Sequence, residues 1–326
     1  MDIASLPDRR SVLGGLAALL AAGPAIAQPD LSRPMDPTIA DRGSTFYRFE
    51  RIGLVSRDGG RRYRVTVGVP RRPAPAAGYP VLHMLDGNAA LGVLTEPLLE
   101  DLDRGGPPVL VAIGYETDRR FDVVARAFDY TPPTSLSGET WENRERGRRG
   151  GGADAFLDLI EAEIKPRVGA LAAVDPARQA LWGHSYGGLF TLHCLFTRPD
   201  RFSTYIAASP SLWWQDGFIL SEEARFTGAP ARLLLTRGGA EGLRREGRRR
   251  EGPRPDGGAD AVRQAPPPGR EGFPADALPQ MAARLRALPD LSVDVIEFPG
   301  LSHGEALAAS LPPALRFAAG FAGGVK

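Results

Sequence analysis

The stretch Gln179-Ala180-Leu181-Trp182-Gly183-His184-Ser185-Tyr186-Gly187-Gly188 decides the fold. Residues 179–182 read as a short buried strand, and 186–196 as an apolar helix. Between them stands a G-x-S-x-G pattern, the mark of a serine on a sharp strand-to-helix turn. Glycines on both flanks let the backbone take a strained shape, and the hydroxyl then projects above the sheet. In a chain with 39 Gly the pattern alone is weak. A second match, Gly300-Leu301-Ser302-His303-Gly304, also follows a strand and precedes a helix. Chain order separates the two. On such a turn the nucleophile is followed by an acid and then by a histidine. No acid separates Ser302 from His303, and no later histidine exists. Ser185 is followed by a strand, an acid-bearing segment, another strand and then His303, so Ser185 is the expected nucleophile.

His303 follows the last strand and is the expected general base, taking the Ser185 proton through Nε2. His184 is too close to the serine to fold back onto its oxygen. His83 lies within a strand, and His193 lies two turns into the nucleophile helix. The acid is expected just past the strand at 231–236, where Glu241 is the first carboxylate. Glu246, Asp256 and Asp260 compete with it, and a Ser–His pair without an acid stays open. The oxyanion hole needs two backbone amides. One is expected from Tyr186, the other from Asn88 in the turn Asp86-Gly87-Asn88, where Gly87 allows close backbone approach.

Outward from this centre, strands and helices alternate. Residues 46–56 and 62–70 form a hairpin pattern about Asp58-Gly59-Gly60. Residues 79–86 and 107–114 are near-continuous apolar runs, as buried strands would be, with a helical stretch at 88–103 between them. Residues 119–150 read as irregular, 153–168 as helical, 204–208 and 231–236 as short strands. A Gly/Pro/Arg-rich insert at about 242–273 precedes a helix at 275–287, a strand at 291–298 and a helix at 305–321. The pattern predicts one mostly parallel sheet, led by an antiparallel hairpin and covered by helices on both faces. Residues 44–326 are expected as a single domain after a polar linker at 28–43. Residues 1–27 read as an export signal: Arg9-Arg10, a short apolar run, then Ala25-Ile26-Ala27 as a cleavage pattern. The paired arginines favour the twin-arginine route, so the mature protein is expected to be periplasmic or secreted, without stable membrane insertion.

The composition narrows the chemistry. Lys+Arg 40 against Asp+Glu 39 gives a net charge of +1, which offers no global field for nucleic acid. The arginine runs at 144–149 and 244–254 are interspersed with Gly and Glu and read as loops, so no nucleic-acid partner is expected. One Cys excludes an intrachain disulfide framework, and four His leave little room for a metal centre.

Several motifs taken together resemble one family. Leu85-Asp86-Gly87-Asn88, Gly183-His184-Ser185-Tyr186-Gly187-Gly188, Ala208-Ser209-Pro210-Ser211-Leu212-Trp213-Trp214 and Ser302-His303-Gly304 are similar to those of the esterase D-like esterases. Within that group they look most like the periplasmic siderophore esterases that cleave enterobactin- and salmochelin-type trilactones. Arg126 with Asp129-Tyr130-Thr131-Pro132 resembles a further segment, and the likeness spans about 45–310. It implies an α/β-hydrolase fold and ester hydrolysis without metal or cofactor. It also implies Ser185 as nucleophile, His303 as base, and Asn88 and Tyr186 at the oxyanion hole. Some members of the trilactone branch lack a well-placed acid, which leaves the role of Glu241 open. The long Arg-rich insert departs from the family pattern. Trp213 and Trp214 are expected at the mouth of the site, where aromatic faces suit an acyl or catechol ring. Arg126 is expected there for an anionic group such as a ferric siderophore. An acyltransferase on the same triad, or a binding protein on a hydrolase scaffold, are the alternatives.

Overall fold

The structure, a computed structural model, describes residues 34–134, 139–144, 146–241 and 273–320. The expected export signal, most of the insert, and the competing acids Glu246, Asp256 and Asp260 lie outside the described residues. The second part of the expected linker is a correction. Residues 34–43 dock on the domain, because Met35 N–H donates to the Asp118 carbonyl (2.8 Å) and Pro34 bridges to Arg119. A short helix, α1 (Ile39–Arg42), buries Ile39 and carries a Thr38–Asp41 capping box.

The hairpin forms as β1 (Tyr47–Val55) and β2 (Arg62–Pro70), antiparallel from Tyr47↔Pro70 to Val55↔Arg62. The next elements are β3 (Tyr79–Met84), α2 (Gly87–Leu91), α3 (Glu96–Gly105) and β4 (Val109–Tyr115). Then come α4 (Ala125–Asp129) and a small hairpin of β5 (Trp141–Asn143) and β6 (Arg148–Arg149). They are followed by α5 (Ala153–Leu159), a π-helical stretch (Ile160–Ile164), α6 (Lys165–Leu171) and β7 (Val174–His184). The chain continues through α7 (Tyr186–Thr197), β8 (Thr204–Ala208), a 3-10 turn (Trp214–Gly217) and α8 (Phe218–Glu223). It ends in β9 (Ala231–Gly238), α9 (Ala277–Leu285), β10 (Leu291–Phe298) and α10 (His303–Ala319).

Eight strands make one sheet in the order β1-β2-β4-β3-β7-β8-β9-β10. β2 pairs antiparallel with β4, and every pair from β4 to β10 is parallel. This is the α/β-hydrolase fold that the resemblance implied. The apolar runs are explained by burial on both faces. In β4, Val109, Val111 and Ile113 join one core cluster while Leu110 and Ala112 join the other, and Val81 opposes Leu82 and Met84 in β3. All the parallel strands end on one edge of the sheet, where ligands meet such folds.

Three elements differ from the sequence pattern for local reasons. The helix expected at 88–103 is two, because Thr95 caps a new start and Pro97 occupies its first turn. The helix after residue 153 passes through the π stretch just ahead of Pro166, which lacks the N–H that an unbroken α ladder needs. Residues 119–150 are not irregular throughout, since they contain α4 and the β5–β6 hairpin. The short strands of that hairpin are too brief to show a period in sequence.

Helix α7 is buried along almost its whole length, and His193 within it is buried too. Its Nδ1 lies 2.9 Å from Glu222 Oε2 and its Nε2 3.3 Å from Asp154 Oδ1. Burial alone would lower the pKa of this imidazole. The hydrogen bonds to Asp154 and Glu222 outweigh it and raise the pKa to about 9. A raised folded pKa stabilises the fold fully below the unfolded value of about 6.5, and the benefit is lost as pH rises through about 9. The stability advantage over His193→Gln should therefore be full at pH 6 and largely gone at pH 10. Denaturant melts of both proteins at the two pH values check this, and a pH-independent gap would contradict the pairing.

Candidate active site

Ser185 stands between the end of β7 and the start of α7 with φ 62° and ψ −116°, a conformation that costs a non-glycine residue about 1–3 kcal/mol. The turn closes because two backbones touch. A Cβ on Gly183 would lie 2.3 Å from the Gly187 carbonyl oxygen. Gly187 itself has ordinary space, its Cβ position being 3.5 Å from Leu85. The two glycines therefore do different things: Gly183 must lack a side chain, whereas Gly187 supplies the backbone that needs the room. Two more non-glycine residues with positive φ, Asp86 (49°) and Ser209 (43°), stand just past β3 and β8 on the same sheet edge.

The structure brings Ser185, His303 and Glu241 together. His303 Nε2 lies 3.1 Å from Ser185 Oγ, and His303 Nδ1 lies 3.1 Å from Glu241 Oε2. A carboxylate only accepts, so Nδ1 carries the proton and Nε2 is free to accept from the serine hydroxyl. The other oxygen of Glu241 accepts from Ser209 Oγ (2.6 Å) and the Gly238 amide (2.7 Å). Burial pushes the Glu241 pKa up, but the hydrogen bond and charge of His303, with Ser209 and Gly238, hold it below the ordinary glutamate value. Glu241 is thus a carboxylate across the neutral range. The loops that carry acid and base are tied to each other. Ala240 N–H donates to the Leu301 carbonyl (3.0 Å), and a Cβ on Gly238 would meet that same oxygen at 2.3 Å. His303 opens α10 behind a Ser302–Glu305 capping box.

The turn after β3 is held from several directions. Arg126 grips Asp86 with Nε on Oδ1 (2.9 Å) and Nη2 on Oδ2 (2.8 Å). The Asp86 amide donates to the Tyr130 hydroxyl at 3.0 Å. Asn88 Nδ2 lies within 3.3 Å of the carbonyls of Tyr115, Thr117 and Arg119. A Cβ on Gly87 would strike the β4 backbone at 2.5 Å, so glycine is required for this approach. Tyr186 begins α7, and its hydroxyl donates to buried Glu142 (2.6 Å), which Arg148 also contacts. The guanidinium of Arg126 lies 5.5 Å from the Tyr186 ring centre and links the two turns.

The expected substrate residues divide. Trp213 is half-buried, 6.0 Å from Tyr186, and lines a cavity of about 150 Å³ with Pro210, Phe273, Leu278, Glu241 and His303. Trp214 is only 1% exposed and packs edge-on against Phe218, so it is core rather than mouth. Both belong to one apolar cluster, Trp214 at its centre and Trp213 packed against its edge. Arg126 is near the site, yet two of its nitrogens are already engaged by Asp86. Ser209, Ser211 (3.3 Å from Ser185 Oγ), Glu142 and Tyr130 were not foreseen as site residues. Ser209, Ser211 and Tyr130 stand in the motifs that carry the resemblance, but nothing in sequence gives their partners, and Glu142 has no signal beyond its place in an Arg-rich stretch.

A strained serine bonded to an imidazole and backed by a carboxylate defines the serine-hydrolase class of site. Residues 56–238, more than half of the chain, match the Esterase family model, described as "Putative esterase". The chain belongs to this family. Among curated proteins it is similar to the apo-salmochelin esterase of Escherichia coli O6:H1, with 44% identity over 194 residues. That match covers 60% of this chain and 60% of the relative, so it spans about three-fifths of the relative's length. The ferri-bacillibactin esterase BesA of Bacillus subtilis is 39% identical over 201 residues, covering 58% of this chain and 69% of BesA. Among solved structures, the enterobactin and salmochelin hydrolase IroE superposes with a TM-score of 0.67 at 34% identity, covering 87% of this chain and 100% of IroE.

The unequal roles of the two glycines have a measurable consequence. Gly183→Ala should cost about 1–3 kcal/mol or more through forced backbone movement. Gly187→Ala should cost far less, and urea melts of the two variants should show that order.

Proposed function

We propose that this protein is a serine esterase that hydrolyses carboxylic esters through an acyl-enzyme on Ser185, with siderophore lactones as its substrate class. The observation that carries the reading is the continuous contact Ser185–His303–Glu241. Ser185 Oγ attacks the ester carbonyl carbon while its proton passes to His303 Nε2. The carbonyl oxygen becomes an oxyanion and is met by the amides of Tyr186 and Asn88. Both amides lie in the first turn of a helix, α7 and α2 respectively, where they have no partner within the helix. The C–O bond to the alcohol then breaks, and His303 returns the proton to the leaving oxygen. Water, deprotonated by His303, attacks the acyl carbon, and the acid is released. Glu241 holds Nδ1–H and stabilises the imidazolium in both halves.

The siderophore assignment is supported by the names of the relatives and by an aromatic wall, Trp213, beside the base. Arg126 is proposed to meet an anionic part of the substrate through Nη1, while its remaining nitrogens hold Asp86. Export through the 1–27 segment would bring the enzyme to the periplasm or outside the cell, where such esters arrive.

A fluorophosphonate probe should label the wild type and fail on Ser185→Ala. Glu241→Gln should lower kcat by about 10²–10⁴-fold with the fold intact, because the imidazole loses both its tautomer and its counter-charge. A panel of ferric and iron-free trilactones against short p-nitrophenyl esters tests the substrate class. Cleavage of simple esters without any trilactone turnover would leave a general esterase and remove the siderophore reading.

A further inference from the structure

His184 has no part in the proton path described above, yet it is buried and points at the general base. Its Nε2 lies 2.9 Å from the backbone carbonyl of His303, and the two imidazole rings are 4.7 Å apart at 42°. A carbonyl only accepts, so Nε2 of His184 carries a hydrogen and donates it. Among the described residues, the charges that act most on it are those of His303, Arg126 and Arg120, whose own partners are Glu241 and Asp86. Burial first, and then the positive charges of these neighbours, hold its pKa well below the usual histidine value. Nδ1 is therefore a lone pair, and the ring stays neutral while His303 gains its proton beside it.

We propose that His184 is a positioning residue for the general base: its Nε2–H anchors the His303 carbonyl and keeps the catalytic ring against Ser185. This rests on the serine-esterase reading. Among the described residues, the backbone around His303 is also held from its own helix, through the capping box at Ser302, and by the Ala240 amide on Leu301 two positions before it. The bond from His184 ties the base directly to the strand that ends in the nucleophile. Ser185 and His303 then share one support, and their separation is set by a side chain adjacent to the serine. A second consequence is electrostatic. The neighbour of the transient imidazolium must be uncharged, and a cation 4.7 Å away would oppose proton transfer.

The test uses the full chain and a p-nitrophenyl ester. His184→Leu removes the donor and is expected to lower kcat by about 10–100-fold with KM changed less than about threefold, the effect of a small misplacement of reacting groups. His184→Gln keeps an N–H near the position of Nε2 and is expected to recover to within about threefold of wild type. Circular dichroism and a thermal melt check that each variant is folded. A folded Leu variant with wild-type kcat overturns the proposal. So does a Gln variant as impaired as Leu, since that would make ring packing the whole role. Should the Leu variant not fold, ¹⁵N-imidazole NMR of the wild type decides. His184 must show a protonated Nε2 and a bare Nδ1, and a ring with its proton on Nδ1 instead overturns the proposal. If the wild type is neither labelled by the fluorophosphonate nor active on any ester, the esterase reading fails. The NMR experiment then still reports whether the bond to the His303 carbonyl exists.

Discussion

Contact between the backbones of residues 183 and 187 is the constraint from which the rest of the site follows. It forces Ser185 into the left-handed region and lifts its hydroxyl out of the sheet edge. Such a turn survives only when its surroundings over-determine it. Here they do so from both ends. β7 is hydrogen-bonded to β3 and β8, and α7 is wrapped in apolar side chains on nearly every side. Asp86 and Ser209, just past the flanking strands, also have positive φ, so strained backbone gathers on this edge of the sheet.

Charge is managed in the same manner around this point. Three acids near the serine have basic partners: buried Asp86 has Arg126, buried Glu142 has Arg148, and half-buried Glu241 has His303. Removing one member of such a pair leaves an uncompensated charge out of water, which is far more damaging than losing an exposed ion pair. The pairs also carry mechanical information. Arg126 and Glu142 brace the turns that carry Asn88 and Tyr186, through Asp86 and the Tyr186 hydroxyl. Sites of this kind are sensitive to changes well outside the contact shell of the substrate.

The parts of this fold that were legible in the sequence are those set by strong local physics. The apolar runs at 79–86 and 107–114 had to be buried strands. The glycine-flanked serine and the chain order of acid and histidine pointed to Ser185, Glu241 and His303, which the structure brings within hydrogen-bond distance. Trp213 and Trp214 show where such reading ends. Two identical neighbouring side chains differ in burial, Trp214 at 1% exposure inside the core and Trp213 at its edge, and no composition or period encodes that difference. The β5–β6 hairpin was invisible because three residues against two have no periodicity. The partnership of Glu142 with Tyr186, 44 positions apart, is a product of packing alone. Ser209 and His184 sit in motifs that were noticed, but their partners are set by tertiary approach.

The acid loop has one more implication. Glu241 and Phe273, 32 positions apart in the chain, line the same cavity. Both banks are moored: Gly239 and Ala240 donate to the Phe298 and Leu301 carbonyls, and Arg237 reaches the Ala275 carbonyl while gripping Glu297. Lengthening a connection whose ends are already fixed changes closure entropy only logarithmically, by about 0.6 kcal/mol per doubling. A change of length between residues 241 and 273 therefore costs little in closure so long as these moorings hold, and Glu241 keeps its place beside His303.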